Sequence, residues 1–325
     1  MYRFAGVLVA LLCFAPSAMA DPLPSWNSSE TKQQIIGFVE TVSDPSHVDF
    51  VPADQRVAVF DNDGTLWSEQ PLYFQLVFAM DRLGELAKED PSILTSDVLR
   101  AAAAGDVEGV MAGGKEGLLE VVDASHSGLS TEAFQSAVAD WLDTSAHPQS
   151  GQRYDAMVYQ PMLELLSYLR DRGFRTYIVS GGGIDFMRVF AERVYGIPPE
   201  QVIGSMGNMS YQVVDGVPTI MKEPGIHFID DKDAKPIGIA RDIGRRPILV
   251  AGNSDGDFEM LEWATSGDGA RLGMIVHHTD YEREWAYDRD SHIGRLERGL
   301  DEGPDRGWLI IDMAADWATV YPAWP

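Results

Sequence analysis

Cysteine is all but missing. Of 325 residues only Cys13 is one, and it lies in an N-terminal stretch that reads as removable. The remaining chain can form no disulfide, no thiolate metal site and no cysteine nucleophile. Positive charge is scarce as well: Lys and Arg number 25 against 50 Asp and Glu, a formal charge of −25 at pH 7. So acidic a surface repels nucleic acid and anionic lipid, and no basic stripe offsets it, so neither is expected as a partner. It gives no general attraction for a phosphorylated small molecule either, so an anion site has to be made locally, from a metal ion, a lysine or backbone N–H groups. Long apolar runs are limited to residues 4–15, too short to span a bilayer as a helix. The 7 histidines show no metal-ligand spacing; His277-His278 follows a strand end and reads as a satisfied loop pair.

Residues 1–20 have the layout of a secretory signal peptide: Arg3, the apolar core at 4–15, then Ala18-Met19-Ala20 as a small-x-small cleavage site, with cleavage expected after Ala20. Leu12 is too bulky before Cys13 for a lipoprotein site. The expectation is a secreted or periplasmic protein, free of the membrane after cleavage. Without disulfides it must stabilise itself by burying a core, and its length suffices for that.

The apolar run 57–60 reads as a buried strand. It stops at Asp61-Asn62-Asp63-Gly64-Thr65. From 67 to 155 the pattern is helical: Leu72, Leu76, Met80 and Leu83 share one face, as do Phe134, Ala137, Val138 and Trp141, with Ser130 placed as an N-cap. Trp67 and Glu69, just past the aspartates, read as hinge and packing residues. From about 156 strands and helices alternate. A helix carrying Met162, Leu165, Leu166 and Leu169 ends at Gly173. A strand at 176–179 stops at Ser180-Gly181-Gly182-Gly183, and the next helix carries Met187, Phe190, Ala191 and Val194 on one face and ends at Gly196. Short strands at 202–221 turn at Asp215-Gly216, and a helix covers 234–243. Further strands are expected at 247–251, 272–276 and 308–311. The alternation predicts an α/β fold, a Rossmann-like parallel sheet with right-handed crossovers. Residues 21–66 and 156–325 form this core, and 67–155 an inserted all-helical cap.

Three strands end in polar, glycine-rich turns: Asp61/Asp63, 180–183 and 253–257. Parallel topology brings all three to one sheet edge, where α/β proteins bind ligands. Asp61 is read as a nucleophile, which would split a hard hydrolysis into two steps. Asp63, two residues on, is read as the acid–base partner. Two adjacent carboxylates resist double ionisation, and a site made only of oxygens suits Mg²⁺.

The pattern resembles the haloacid dehalogenase superfamily, over about residues 55–275. Asp61-x-Asp63-x-Thr65 matches the first motif, Ser180 the second, Lys235 the third, and the 252–257 turn the fourth. The insertion point of the helical cap looks like that of the phosphoserine phosphatase-like branch. The resemblance implies an Mg²⁺-dependent phosphomonoesterase working through an aspartyl-phosphate on Asp61, with a small phosphorylated substrate such as phosphoserine. It implies that Thr65, Ser180, Gly181 and Lys235 hold phosphate, with Lys232 and Lys222 as rivals for the lysine. Metal ligation would come from Asp61, Asp63, Asn253 and Asp257. The fourth motif departs from the family's usual Gly-Asp-x-x-x-Asp, since Asn253 stands at the first acidic position; Asp255 or Asp257 is available to compensate.

Two other readings compete. Gly252-Asn253-Ser254-Asp255-Gly256 fits the Gly-x-Ser-x-Gly of a serine esterase, with Ser254 as nucleophile and Asp280 and His292 as partners. That reading leaves Asp61 and Asp63 unexplained. The second is a binding protein that kept the fold and lost turnover, for which Asn253 is the support.

Overall fold

The computed structural model describes residues 20–323, so the segment read as a signal peptide lies, but for its last residue, outside the described residues. In chain order, helix α1 (Glu30–Ser43) is capped by the Ser29 side chain, which accepts the Lys32 N–H, and buries Ile35, Val39 and Val42. Strand β1 (Val57–Phe60) follows and is buried throughout. Five helices come next: α2 (Phe74–Glu89), α3 (Asp97–Ala103), α4 (Val107–Ala112), α5 (Gly114–His126) and α6 (Thr131–Thr144). Side chains of Ser96, Asp106 and Ser130 cap α3, α4 and α6. Helix α7 (Gln160–Asp171) leads into β2 (Arg175–Gly183), then α8 (Ile184–Met187), α9 (Ala191–Tyr195), β3 (Val202–Val214) and β4 (Val217–Phe228). Helix α10 (Ala234–Asp242), β5 (Leu249–Gly252), α11 (Phe258–Thr265), β6 (Leu272–His277) and β7 (Leu309–Asp312) complete the core.

The sheet has seven strands in the order β4-β3-β2-β1-β5-β6-β7. All neighbours are parallel except β3 and β4. This is the α/β parallel-sheet fold expected from the alternation. Strand side chains divide between two apolar layers because successive residues point to opposite faces. Ala58, Phe60 and Ile178 join α1 and α7 on one face; Val57, Val59, Tyr177, Val179 and Val250 meet Ile239, Phe258 and Leu261 on the other. The inserted helices have their own core of Leu72, Leu76, Met80, Leu83, Leu99, Val110 and Val121.

Register sets the site. Phe60 lies opposite Ile178 on one side and Ala251 on the other. Asp61, the first residue after β1, therefore emerges within one position of Ser180 on β2 and of Asn253 just past β5.

Three local expectations are corrected. Strand β2 does not stop at Ser180 but runs on to Gly183, with its pairing to β3 shifting between Ser180 and Gly183. The helix expected up to Gly196 is broken. Between α8 and α9 the backbone tightens to i+3 bonds, Val189 N–H to Phe186 O and Phe190 N–H to Met187 O. Phe186 and Phe190 both pack against Trp67, whose ring stacks on Phe190 at 4.6 Å. The hairpin is longer than 202–221, reaching Phe228. Its Asp215-Gly216 turn has φ of 51° and 83°, as a tight two-residue turn requires. That extra length lets β4 meet the helical insert: Gly128 N–H donates to Lys222 O and Lys222 N–H to Leu129 O.

Candidate active site

The floor of the site is a lysine shared by two aspartates. Asp61 directly follows β1, and its N–H donates to Ala251 O at 2.9 Å, extending the β5 pairing past the strand end. Its side chain is buried. Lys235, in the first turn of α10, donates from Nζ to Asp61 Oδ1 at 2.7 Å and to Asp257 Oδ1 at 2.5 Å. The other Asp257 oxygen accepts the N–H groups of Asn253 and Ser254 at 3.0 and 3.2 Å. Gly252 permits this approach, because a Cβ there would lie 2.5 Å from the Asp257 Cβ. With both oxygens engaged, Asp257 anchors Lys235 and does not face the cavity, unlike the metal-ligand expectation for it.

The turn after Asp61 is held by backbone bonds from Trp67 N–H to Asn62 O and from Gly64 N–H to Trp67 O, a pattern that leaves the Asp63 carbonyl out. Trp67 Nε1–H donates to Asp63 Oδ1 at 2.7 Å, fixing the second aspartate. Buried His278 bonds the Gly64 carbonyl through Nε2 at 2.7 Å and Glu284 through Nδ1 at 3.1 Å. It is therefore a loop residue bracing the turn. Across the cleft, Ser180 Oγ accepts the Gly182 N–H at 3.0 Å. Gln75, from α2 in the insert, accepts the Gly183 N–H at 2.6 Å, and its Nε2 donates to His126 Nε2 at 3.1 Å. Burial and the Lys222 and Arg82 charges pull the His126 pKa down to about 3, so the ring is neutral and can accept that bond.

Between them opens a cavity of about 300 Å³. Asp61, Asp63, Glu69, Ser180, Gly181, Gly182 and Lys235 form its polar side. Leu76, Leu118, Leu119 and Val122 of the insert and Ile229 of the core form its apolar side. At the rim Lys115 of α5 stands 3.7 Å from Asp231.

Electrostatically the pocket carries an excess of acid. Burial, then the Asp257 charge, push the Asp61 carboxyl well above its usual range against the pull of Lys235. Burial raises Asp63 too, opposed by the Trp67 bond. Glu69 is raised by burial and by the Asp63 charge. Burial alone would lower Lys235, but Asp257 and Asp61 outweigh it and hold the ammonium protonated. One lysine thus faces more carboxylate than it can neutralise. The donors are all hard oxygens, a set that fits Mg²⁺. Among the described residues no three acidic or histidine side chains already converge as a metal site. Backbone carbonyl or water oxygens would therefore have to complete the coordination.

The structure brings together Asp61, Asp63, Ser180, Gly181 and Lys235. It leaves Thr65 and Asn253 off the cavity wall, where Thr65 Oγ1 donates to Asn253 Oδ1 at 3.3 Å. Lys222 pairs with Asp185 at 2.5 Å, and Lys232 is not among the cavity residues. Asp255 accepts the N–H groups of Glu297, Arg298 and Gly299 and so pins the 297–299 segment. Ser254 caps a short turn by accepting the Gly256 N–H. Asp280 is bound to Arg283 and His292 is exposed, so no esterase triad is assembled on Ser254. Sequence reasoning missed Gln75 and Lys115, and it misread Glu69, which lines the cavity. The available signal for Glu69 was an acid one short loop beyond the aspartate pair.

The family model described as haloacid dehalogenase-like hydrolase matches residues 58–262, more than half of the chain. No curated protein matches the sequence. Among solved structures, a conserved protein of unknown function from Anaerococcus prevotii is similar at 17% identity and a TM-score of 0.52, over 80% of this chain and 88% of that one. A protein of unknown function from Bordetella pertussis is similar at 16% identity and a TM-score of 0.48, over 80% and 99%. A phosphoserine phosphohydrolase-like protein from Francisella tularensis is similar at 15% identity and a TM-score of 0.39, over 77% and 98%. At such identities the first likeness speaks for the fold, and the other two carry no weight.

Proposed function

The chain belongs to the haloacid dehalogenase-like hydrolase family, and from that premise we propose that it is an exported, Mg²⁺-dependent phosphomonoesterase with Asp61 as nucleophile. The observation that carries this reading is Lys235, buried and held between Asp61 and Asp257 at the floor of the cavity.

Asp61 attacks phosphorus and the P–O bond to the alcohol breaks, leaving an aspartyl-phosphate. Asp63 supplies the proton to the departing alkoxide; burial, which raises its pKa, keeps a proton available to it. In the second step Asp63, now a carboxylate, takes a proton from water as the water displaces Asp61 from phosphorus. Lys235 and the 180–183 turn face the phosphoryl oxygens as negative charge builds on them. Bound Mg²⁺, held by the Asp61 side chain and the Asp63 carbonyl, would supply positive charge that offsets the surplus of carboxylate.

The cavity suits a small monoester, and the oppositely charged Lys115 and Asp231 at its rim keep phosphoserine within the substrate class. Residues 1–20 support export. Purified protein with Mg²⁺ and a generic aryl phosphate tests the reading. Phosphate release that disappears in Asp61→Asn, together with a phosphoryl adduct on Asp61 seen by mass, is expected. No hydrolysis, or hydrolysis intact in Asp61→Asn, would refute it.

A further inference from the structure

The fourth motif lacks a carboxylate where Asn253 stands, yet a carboxylate occupies that region of space. It comes from another segment. Glu69 is only 2% exposed, and its Oε1 accepts from Asn253 Nδ2 at 2.6 Å and from the Tyr287 hydroxyl at 2.8 Å. Two glycines make the room. A Cβ on Gly64 would lie 2.4 Å from Oε1, and one on Gly294 2.0 Å from it. Both have positive φ, +73° and +66°, a conformation that also favours glycine.

Glu69 lines the same cavity as Asp61 and Asp63, whereas Asn253 does not. Nor does Glu69 have a cation of its own. Lys235 is spent on Asp61 and Asp257 and Lys222 on Asp185. Among the described residues no Lys or Arg forms an ion pair with Glu69. A buried carboxylate beside two others, supported only by neutral donors, stays charged at low cost only when a cation shares the site. Asn253 is suited to a positioning role: its Nδ2–H bond holds Oε1 and thereby fixes the glutamate's orientation.

We propose that Glu69 supplies the third protein ligand of the divalent-cation site, in place of the acid missing at position 253, and that Asn253 aims it. This rests on the Mg²⁺-dependent reading above. The two segments have exchanged roles: the acid has moved to the loop after β1, and the amide after β5 has become its support.

Calorimetric titration of the purified protein with Mg²⁺, with thermal unfolding alongside, tests this without relying on turnover. The wild type should bind Mg²⁺ and unfold at a higher temperature with it. Glu69→Gln should bind at least about tenfold more weakly and lose most of the Mg²⁺-dependent stabilisation. The double variant Glu69→Gln/Asn253→Asp, which returns the acid to the position the family uses, should recover affinity to within about threefold of wild type. A packing role for Glu69 would leave Mg²⁺ affinity unchanged in Glu69→Gln, and that result overturns the proposal. If circular dichroism shows Glu69→Gln unfolded, Asn253→Ala decides: weakened Mg²⁺ binding supports the assignment and unchanged binding overturns it. A wild type that binds no Mg²⁺ would remove the metal from the proposed function along with this ligand. Equal binding by wild type and Glu69→Gln would remove only the ligand.

Discussion

Lys235 and Lys222 are both buried and both bonded to aspartate, but their surroundings assign them different work. Lys235 serves two carboxylates, Asp61 and Asp257, and borders the cavity. Lys222 serves one, Asp185, and lies 4.6 Å from the centre of the Phe134 ring on α6. Its backbone makes the strand-like bonds that join the helical insert to the hairpin. In the first case the acids outnumber the base, an imbalance that the cation of the proposed function would offset. In the second, charge is matched one to one beside an aromatic face, and the pair acts as a joint. A buried lysine is therefore informative chiefly through the count of carboxylates around it and through what its backbone is tied to.

The comparison can be broken most forcefully at Asp61. Asp61→Asn should lower kcat for an aryl phosphate on the order of 10⁴-fold or more, as loss of a nucleophile does. The same variant should unfold at a higher temperature than wild type in the absence of metal, because one of the crowded acids is gone; a fall in Tm would show that Asp61 is a structural member of the pair. Next come the lysines. Lys235→Met should cost roughly 10²–10³ in kcat, the usual loss when a preorganised charge at a transition state is removed. Lys222→Met should cost about 3–5 kcal/mol in denaturant unfolding, since Asp185 is left buried and alone, with activity per folded molecule kept within about tenfold. Adding Asp185→Asn should return most of that stability. If Lys222→Met abolishes turnover in folded protein while Lys235→Met spares it, the two roles are the wrong way round.

Which parts of this could be read from the sequence follows from the range of the interactions. β1 is legible because an apolar run is cut short by Asp61 and Asp63 within one turn, and strand–helix alternation dictates the parallel sheet. Convergence of Ser180 and Lys235 with Asp61 then follows from topology. Asn253 was visible as a departure from the fourth motif, but its partner was not. The Asn253–Glu69 bond spans 184 positions and the Tyr287–Glu69 bond 218, and no periodicity reports on contacts of that range. The break between α8 and α9 escaped for a related reason. Met187, Phe190, Ala191 and Val194 keep helical spacing straight through it, so the apolar pattern does not mark where the backbone tightens. The extension of the β3–β4 hairpin past 221 is likewise unmarked locally, and it is there that Lys222 bonds the backbone of the insert.

Asp230 supplies the control for both lysines, an aspartate near Lys235 with no lysine of its own. It is fully buried, and neither oxygen has a hydrogen-bond partner. Burial raises its pKa from 3.8 to about 7, against the pull of Lys235 and Arg241. The folded state thus keeps a proton that the unfolded chain releases from about pH 4 upward. The unfolded state binds fewer protons across that window, so the contribution of Asp230 to stability falls as pH rises from about 4 to 7 and is level above it. Asp230→Asn removes the titration and keeps the shape. It should match wild type at pH 4 and exceed it by on the order of 2 kcal/mol at pH 8 in denaturant unfolding, below the ~4 kcal/mol that the full shift would set as a ceiling. A gain of equal size at both pH values would point to packing, and Asp230 would then no longer measure what a buried aspartate costs when the nearby lysine is already engaged.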